Sequence, residues 1–489
     1  MFKFAPWVKA WCFFIGDFMD KYIMCFNEWE TPKYVQIAKH IKHLVDHGVV
    51  EDGEKLPSIR EMANRLSVNN VTIVSAYNKL EAEGYAVQKI GSGTYAKKRE
   101  ITRSFKKEYS DTFKKINGDA IKEYIDFSGE TACSDFFPVD RFKAVLNEVL
   151  DRDGADALVY QELLGYKGLR ESINEFFWDK SLSGEEILIV SGAQQGIDII
   201  SKALINVNDN VMVEKPTYNG ALSVFKGRRA NIFEVNMADD GIDIKELEAI
   251  LKRNKIKCFY LMSYFQNPTG ISYSLEKKKE ILNLAEIYDF YIIEDDYLSE
   301  LIYDEKIEYN SFKSLDTQDR VIYVKSFSKI FLPGIRIGYV IPPVKFREQI
   351  QNSKINTDIS TSSLMQRALD LYIKRGYWKE HIVNLNNLYK DKYAHCIKCV
   401  DEILGDLVSY NKPNGGLSLY LKLKEAVDID SVKLFYECKN NKILIIPGVL
   451  FYKNIDEGKR YFKLAFSQTT NEQIKSGIKT IKAILKGEI

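Results

Sequence analysis

The chain is 489 residues long, with 69 Lys and Arg against 68 Asp and Glu, a formal net charge of +1 and 45% hydrophobic residues. That length exceeds one ordinary domain, and so even a balance of charge excludes a polybasic or polyacidic protein whose whole surface serves one charged partner. Seven scattered cysteines, no export signal and no internal repeat exclude a disulfide scaffold or a solenoid and point to the cytosol.

Residues 1–30 read as an N-terminal extension of uncertain role. Their apolar stretch, FAPWVKAWCFFIGDF over 4–18, is too short and too interrupted by Lys9 and Asp17 to span a membrane. Residues 31–97 read as a small helical head. YVQIAKHIKHLVDHG has apolar residues at 37, 41, 44 and 45 and ends near Gly48. In LPSIRE, Ser58 caps a short helix to Leu66 and Glu61 completes an S-x-x-E capping box. After SVNN the pattern predicts a longer helix from about Val71 to Glu83, closed by Gly84-Tyr85. QKIGSGTYAKK then reads as a two-stranded wing with glycines at its tip. Residues 31–99 hold eleven Lys and Arg against seven Asp and Glu, a local excess of four in a nearly neutral chain.

The ordered motifs LPSIRE, V-T at a helix start, LEAEGY and GSGT make Lys33 to Ala96 resemble the winged helix-turn-helix of GntR-type bacterial repressors. The resemblance implies a double-stranded DNA operator as partner, with the longer helix in the major groove. Arg60 and Lys89 are then candidates for phosphates, and Asn69, Asn70, Thr72 and Tyr77 for base edges or backbone. The family commonly carries Ser-Arg where this chain has Asn69-Asn70, which changes one of those contacts. Residues 98–124 are rich in charge and poor in periodic apolar positions, and read as a flexible or partly helical linker.

Residues 125–489 alternate apolar strands with helical patterns, predicting an α/β domain on a mostly parallel seven-stranded sheet and a smaller α/β domain from about 340. Within it, SGAQQ follows the apolar strand EILIV and opens a helix, so N–H groups at Ala193 and Gln194 can face a phosphate. Asp295 ends the apolar strand FYIIE, where a buried carboxylate can keep a pyridine nitrogen protonated. In SFSK followed by PGIR, Lys329 has a hydroxyl, Ser326, three residues before it and a cation, Arg336, seven after. That combination suits a lysine carrying pyridoxal phosphate (PLP).

With Tyr160 to Arg170 (YQELLGYKGLR), KPTYNG, QNPTG and EDDYLSE in this order, the region resembles a fold-type I PLP-dependent aminotransferase, comprising large and small domains. The resemblance implies that Tyr160 reaches the phosphate of a neighbouring subunit's cofactor, hence a homodimer. It also implies that Tyr218 stacks on the pyridine face and that Asn267 and Tyr297 contact the ring's phenolic oxygen. The chain departs from the pattern at YFKLAF, where Lys463 stands in place of the arginine that binds a substrate carboxylate. Arg460, three residues earlier, is expected to face the other way. A winged helix-turn-helix ahead of such a domain resembles the MocR/GabR branch of GntR regulators. This implies a transcription factor sensing PLP, an amine or an amino acid, with a working aminotransferase that carries a DNA-binding head as the alternative. No metal site is expected: the Cys396 and Cys399 pair lacks a second pair, and His40, His43 and His47 read as a solvated face.

Overall fold

The computed structural model describes residues 20–24, 26, 31–46, 49–89, 91–97, 101–116, 118–159, 162–304 and 307–489. The chain divides by its internal contacts into two units, residues up to 116 and residues from 117. Among the described residues no helix is long and apolar enough to cross a membrane, and no group of three or more His, Cys, Asp or Glu could hold a metal ion. His47 and Tyr160 lie outside the described residues.

The first unit is built on three helices, Lys33–Asp46, Ile59–Leu66 and Asn70–Ala82, and on the antiparallel pair Ala86–Lys89 with Gly93–Ala96. Its core takes Ile37, Ile41, Leu44 and Val45 from the first helix, Met62 and Leu66 from the second, and Ile73, Ala76, Tyr77 and Leu80 from the third. Ser58 and Glu61 form the reciprocal capping box. Asn69 is the N-cap of the third helix, accepting at Oδ1 from the Thr72 N–H and hydroxyl, both at 2.8 Å, so that helix starts one residue before the sequence pattern placed it. The head also reaches further back than residue 31. Tyr22 is buried in its core, and Lys21 pairs with Glu54 at 2.6 Å.

Residues 101–116 form one helix, Ile101–Ile116, where a flexible or partly helical linker was expected. Its apolar periodicity lies in aromatic residues four apart. Phe105 meets Tyr109 at 6.1 Å between ring centroids, and Tyr109 meets Phe113 at 4.6 Å.

The second unit is centred on an eight-stranded sheet, one more than expected because the two-residue strand Gly241–Ile242 pairs at its edge. In spatial order the strands are Leu188–Val190, Gly338–Ile341, Val321–Ser326, Tyr291–Asp296, Cys258–Leu261, Asn210–Lys215, Asn231–Ala238 and Gly241–Ile242. The five central strands run parallel, and Gly338–Ile341 is antiparallel to both its neighbours. Strands such as Cys258–Leu261 are buried throughout, which is why they read as unbroken apolar runs.

The boundary near 340 falls inside this sheet, so the smaller layer begins later. It is a four-stranded antiparallel sheet ordered Val408–Ser409, Ser418–Leu423, Tyr461–Ala465 and Ile446–Pro447, with the long helix Tyr377–Leu404 packing against Asn471–Lys486. KILIIPGVLF is not one strand. Its Ile443–Leu444 pairs in parallel with Ile125–Asp126, its Ile446–Pro447 joins the small sheet, and Gly448–Phe451 is a 3-10 turn. The start of the unit, Ile125 to Ala132, thereby runs beside the last strands of the chain.

Candidate cofactor pocket and DNA-reading head

Strand periodicity sorts the acids of Glu294-Asp295-Asp296. Glu294 accepts from the N–H groups of Phe312 and Lys313, both at 2.9 Å, and Asp296 accepts from Tyr309 and Tyr323 at 2.7 Å and from Lys325 at 3.0 Å. Asp295, pointing to the opposite face, accepts at Oδ2 from the Tyr260 hydroxyl at 2.7 Å, while its buried Oδ1 has no partner. Burial pushes this carboxyl up to about 6, with the charge of Asp296 adding to the shift and the Tyr260 bond opposing it. A buried acceptor with an unengaged lone pair is what a ring N–H needs.

Lys329 sits in the turn after Val321–Ser326 and is half-buried, its carbonyl accepting from the Ala132 N–H at 2.9 Å. Asp295, Glu130 and Lys463 all lie within electrostatic reach of its ammonium group. The other lysine of this segment, Lys325, is buried and consumed by Asp296, Ser299 and Glu300 at 2.8–3.0 Å.

A cup lies where a phosphate was expected. Gly192, at φ +87°, precedes the helix Ala193–Leu204, whose first N–H groups have no acceptor within the helix. A Cβ at Gly192 would stand 2.6 Å from Arg336 Nη2, so glycine admits the guanidinium here. Arg336 donates to the Ser328 hydroxyl at 3.2 Å and to the Ser191 carbonyl at 3.1 Å, and Ser326 Oγ accepts from the Ser328 N–H at 3.2 Å. Tyr218 donates to Gln194 Oε1 at 3.2 Å, and Gly220 leaves room for its ring. The donors, the cation and the unpaired Asp295 oxygen fit the phosphate and the ring nitrogen of PLP.

Two positions differ from expectation. Tyr297 donates its hydroxyl to the Phe265 carbonyl at 2.7 Å, so a bond to the ring oxygen requires that proton to turn. Lys463 is not an open cation. It is 1% exposed, bonded to Glu130 Oε1 at 2.6 Å and to Asn267 Oδ1 at 2.8 Å. Asn267 Nδ2 in turn faces Glu130 Oε2 at 3.4 Å. Arg460 points away, donating to the carbonyls of Val427, Ile429 and Leu423. Sequence reasoning missed Glu130 and Tyr260. Tyr260 gives no signal in the all-apolar strand CFYL, whereas a lone Glu in the short turn after Ile125-Asp126-Phe127 carries one.

In the head, Arg60, Asn69, Asn70 and Lys89 are exposed, Thr72 is partly so, and Lys89 lies 4.8 Å over the Tyr95 ring. Tyr77 is not a DNA contact. It is 1% exposed and donates to the Pro57 carbonyl at 2.7 Å, because it shares the inward face of its helix with Ile73, Ala76 and Leu80. The outward face instead presents Asn70, Val71, Val74 and Asn78, with Val71 70% exposed. Asn69→Ala should destabilise the head by about 1 kcal/mol through loss of the cap. Amide exchange along Asn70–Ala82 should quicken, and Asn69→Asp should restore protection. Equal exchange in all three chains would show that the cap contributes nothing.

Residues 33–96 match the family of bacterial regulatory proteins, gntR family, and residues 133–481 match aminotransferase class I and II. The chain is similar to the aromatic-amino-acid aminotransferase 1 of Thermococcus litoralis, 32% identical over 75% of this chain and 89% of that protein. It is similar over more of its length to the uncharacterized HTH-type transcriptional regulator YdfD of Bacillus subtilis, 28% identical over 94% of this chain and 97% of that one. Among solved structures it resembles the kynurenine aminotransferase of Pyrococcus horikoshii, with a TM-score of 0.73, 30% identity and coverage of 78% of this chain and 95% of that one.

Proposed function

Because the chain belongs to the aminotransferase class I and II family and carries a gntR-family DNA-binding domain in front of that module, we propose that it is a transcription regulator that binds PLP on Lys329 and reads PLP, or PLP joined to an amine, as its signal. PLP supplies an electron sink once bound. Asp295 would hold its ring nitrogen, Asn267 and Tyr297 its phenolic oxygen, Tyr218 its ring face, and Ser326, Arg336 and the N–H groups of Ala193 and Gln194 its phosphate. Tyr160 is assigned to the phosphate of a partner subunit, which makes the working unit a homodimer.

The observation that carries this reading is the unpaired buried Oδ1 of Asp295, within electrostatic reach of Lys329. The second reading, a working aminotransferase with a DNA-binding head, is favoured by the 32% identity to an aminotransferase and opposed by the engagement of Lys463 with Glu130. Mixing the PLP-loaded protein with amino acids and a keto acid separates the two. Sustained turnover at about 1 per second or faster would make the chain an enzyme.

For DNA, Arg60 and Lys89 are assigned to phosphates, and Asn69, Asn70 and Thr72, joined by the exposed Val71 and Val74, to the groove. Affinity should fall steeply as salt rises, because counterions are released. Arg60→Ala should weaken binding to every sequence and flatten the salt slope by about one unit, whereas Asn70→Ala should change sequence preference. If the full chain shows no salt-dependent binding to duplex DNA up to ~100 µM, where non-specific binding is expected, the head is not a reader.

A further inference from the structure

The pocket beside Lys329 contains its own carboxylate. Glu130 is buried, and its loop is fastened on both sides: the Ala132 N–H donates to the Lys329 carbonyl at 2.9 Å, Ser467 donates to the Gly129 carbonyl at 2.8 Å, and Gln468 donates to the Thr131 carbonyl at 2.7 Å. Oε1 of Glu130 accepts from Lys463 and from the Ser418 hydroxyl, both at 2.6 Å. Lys463 gives a second hydrogen to Asn267 and lies 5.8 Å over the Phe451 ring, so its ammonium group is enclosed on several sides. Although burial opposes the charged form of each partner, the Lys463 ammonium holds the Glu130 carboxyl below its ordinary range, so the pair stays ionised.

Two consequences follow for a ligand that arrives at Lys329. Lys463 has given two of its three ammonium hydrogens to Glu130 and Asn267, so a carboxylate that it took would share one cation with Glu130 and set a second negative charge beside that buried acid. Asn267 is also fixed in orientation: its Oδ1 accepts from Lys463 and its Nδ2 faces Glu130 Oε2 at 3.4 Å, so the amide is tied into the same cluster. The pair therefore neutralises within the protein the cation that an α-carboxylate would need, and sets a buried carboxylate beside it.

We propose that this pocket selects primary amines that carry no carboxylate beside the amino carbon, with the Glu130–Lys463 pair as the specificity element. The inference rests on the reading that PLP is held at Lys329, and names the chemical class of its small-molecule partner. The test uses the full-length PLP-loaded protein and matched pairs differing only in the carboxylate: phenethylamine with L-phenylalanine, 3-methylbutylamine with L-leucine, and ethylamine with L-alanine. Dissociation constants from titration calorimetry should be at least tenfold lower for the amine of a pair. Glu130→Gln, which keeps an acceptor for Lys463 but removes the charge, should tighten the amino acid at least tenfold and narrow or invert that ratio. An amino acid that binds wild type as well as its amine, or no detectable binding of either, overturns the proposal. The wild-type ratio decides the matter if Glu130→Gln does not fold. A protein that takes up no PLP at all, shown by lack of the band near ~420 nm, sinks the cofactor reading instead. The two failures are thus distinguishable.

Discussion

Lys329→Ala should abolish the absorption near ~420 nm that lysine-bound PLP gives, and with it any borohydride-reducible covalent attachment of the cofactor. The expected loss is complete, because two other buried lysines near the pocket are already committed. Lys325 donates to Asp296, Ser299 and Glu300, and Lys463 to Glu130 and Asn267. Neither can reach the cofactor without leaving buried acids unpaired, which costs several kcal/mol. The fold should survive. The Lys329 side chain makes no hydrogen bond on which its surroundings depend, and the link between its turn and the Glu130 loop is through its backbone carbonyl. Near-unchanged far-ultraviolet dichroism with the band gone is the expected pair of results. A reducible adduct that persists in Lys329→Ala would mean that the wrong lysine has been assigned.

How far such assignments could be made from sequence depended on whether the side chain's neighbours are near it in the chain. Ser58 with Glu61, or Gly192 before its helix, are local devices, legible from residue types a few positions apart. Asp295 was legible among three consecutive acids through the place of its motif between NPTG and SFSK, and the alternation of the strand then gives Glu294 and Asp296 to the opposite face. Glu130 was not legible. Its meaning comes from Lys463, 333 positions later, brought to it by the pairing of Ile125–Asp126 with Ile443–Leu444 and by the register that sets Lys463 opposite Tyr420 and Ile446.

Tyr77 failed differently. Its helix is legible, and so is the inward stripe Ile73, Ala76, Tyr77 and Leu80, whose spacing places Tyr77 in the core and not on the DNA-facing side. The helix in the partly helical linker has an aromatic face, and the tilted ring pairs of Phe105, Tyr109 and Phe113 are a periodicity that charge content obscures.

Asp295→Asn should remove most of the pH dependence of cofactor binding. The folded chain raises this carboxyl from its ordinary 3.8 to about 6, chiefly through burial, which outweighs the opposing charges of Lys325 and Lys329. The resulting contribution to stability is fully present below about pH 4 and is lost as pH rises through about 6, amounting to about 3 kcal/mol for a shift of this size. A protonated pyridine against Oδ1 would supply the missing counter-charge. The stabilisation that PLP confers, read as the difference in Tm with and without it, should therefore grow between pH 5 and pH 7. Glu294, raised to about 7, and Glu214, raised to about 8, weaken the protein in the same direction as pH rises. The Asp295 charge is itself a minor cause of the Glu214 shift, so the comparison is made within each protein, as the difference with and without PLP. In the variant the PLP-dependent difference should stay nearly flat across that range and be smaller at pH 7. Curves that rise in parallel for the two proteins would remove Asp295 from the ring nitrogen and leave its unpaired oxygen without this explanation.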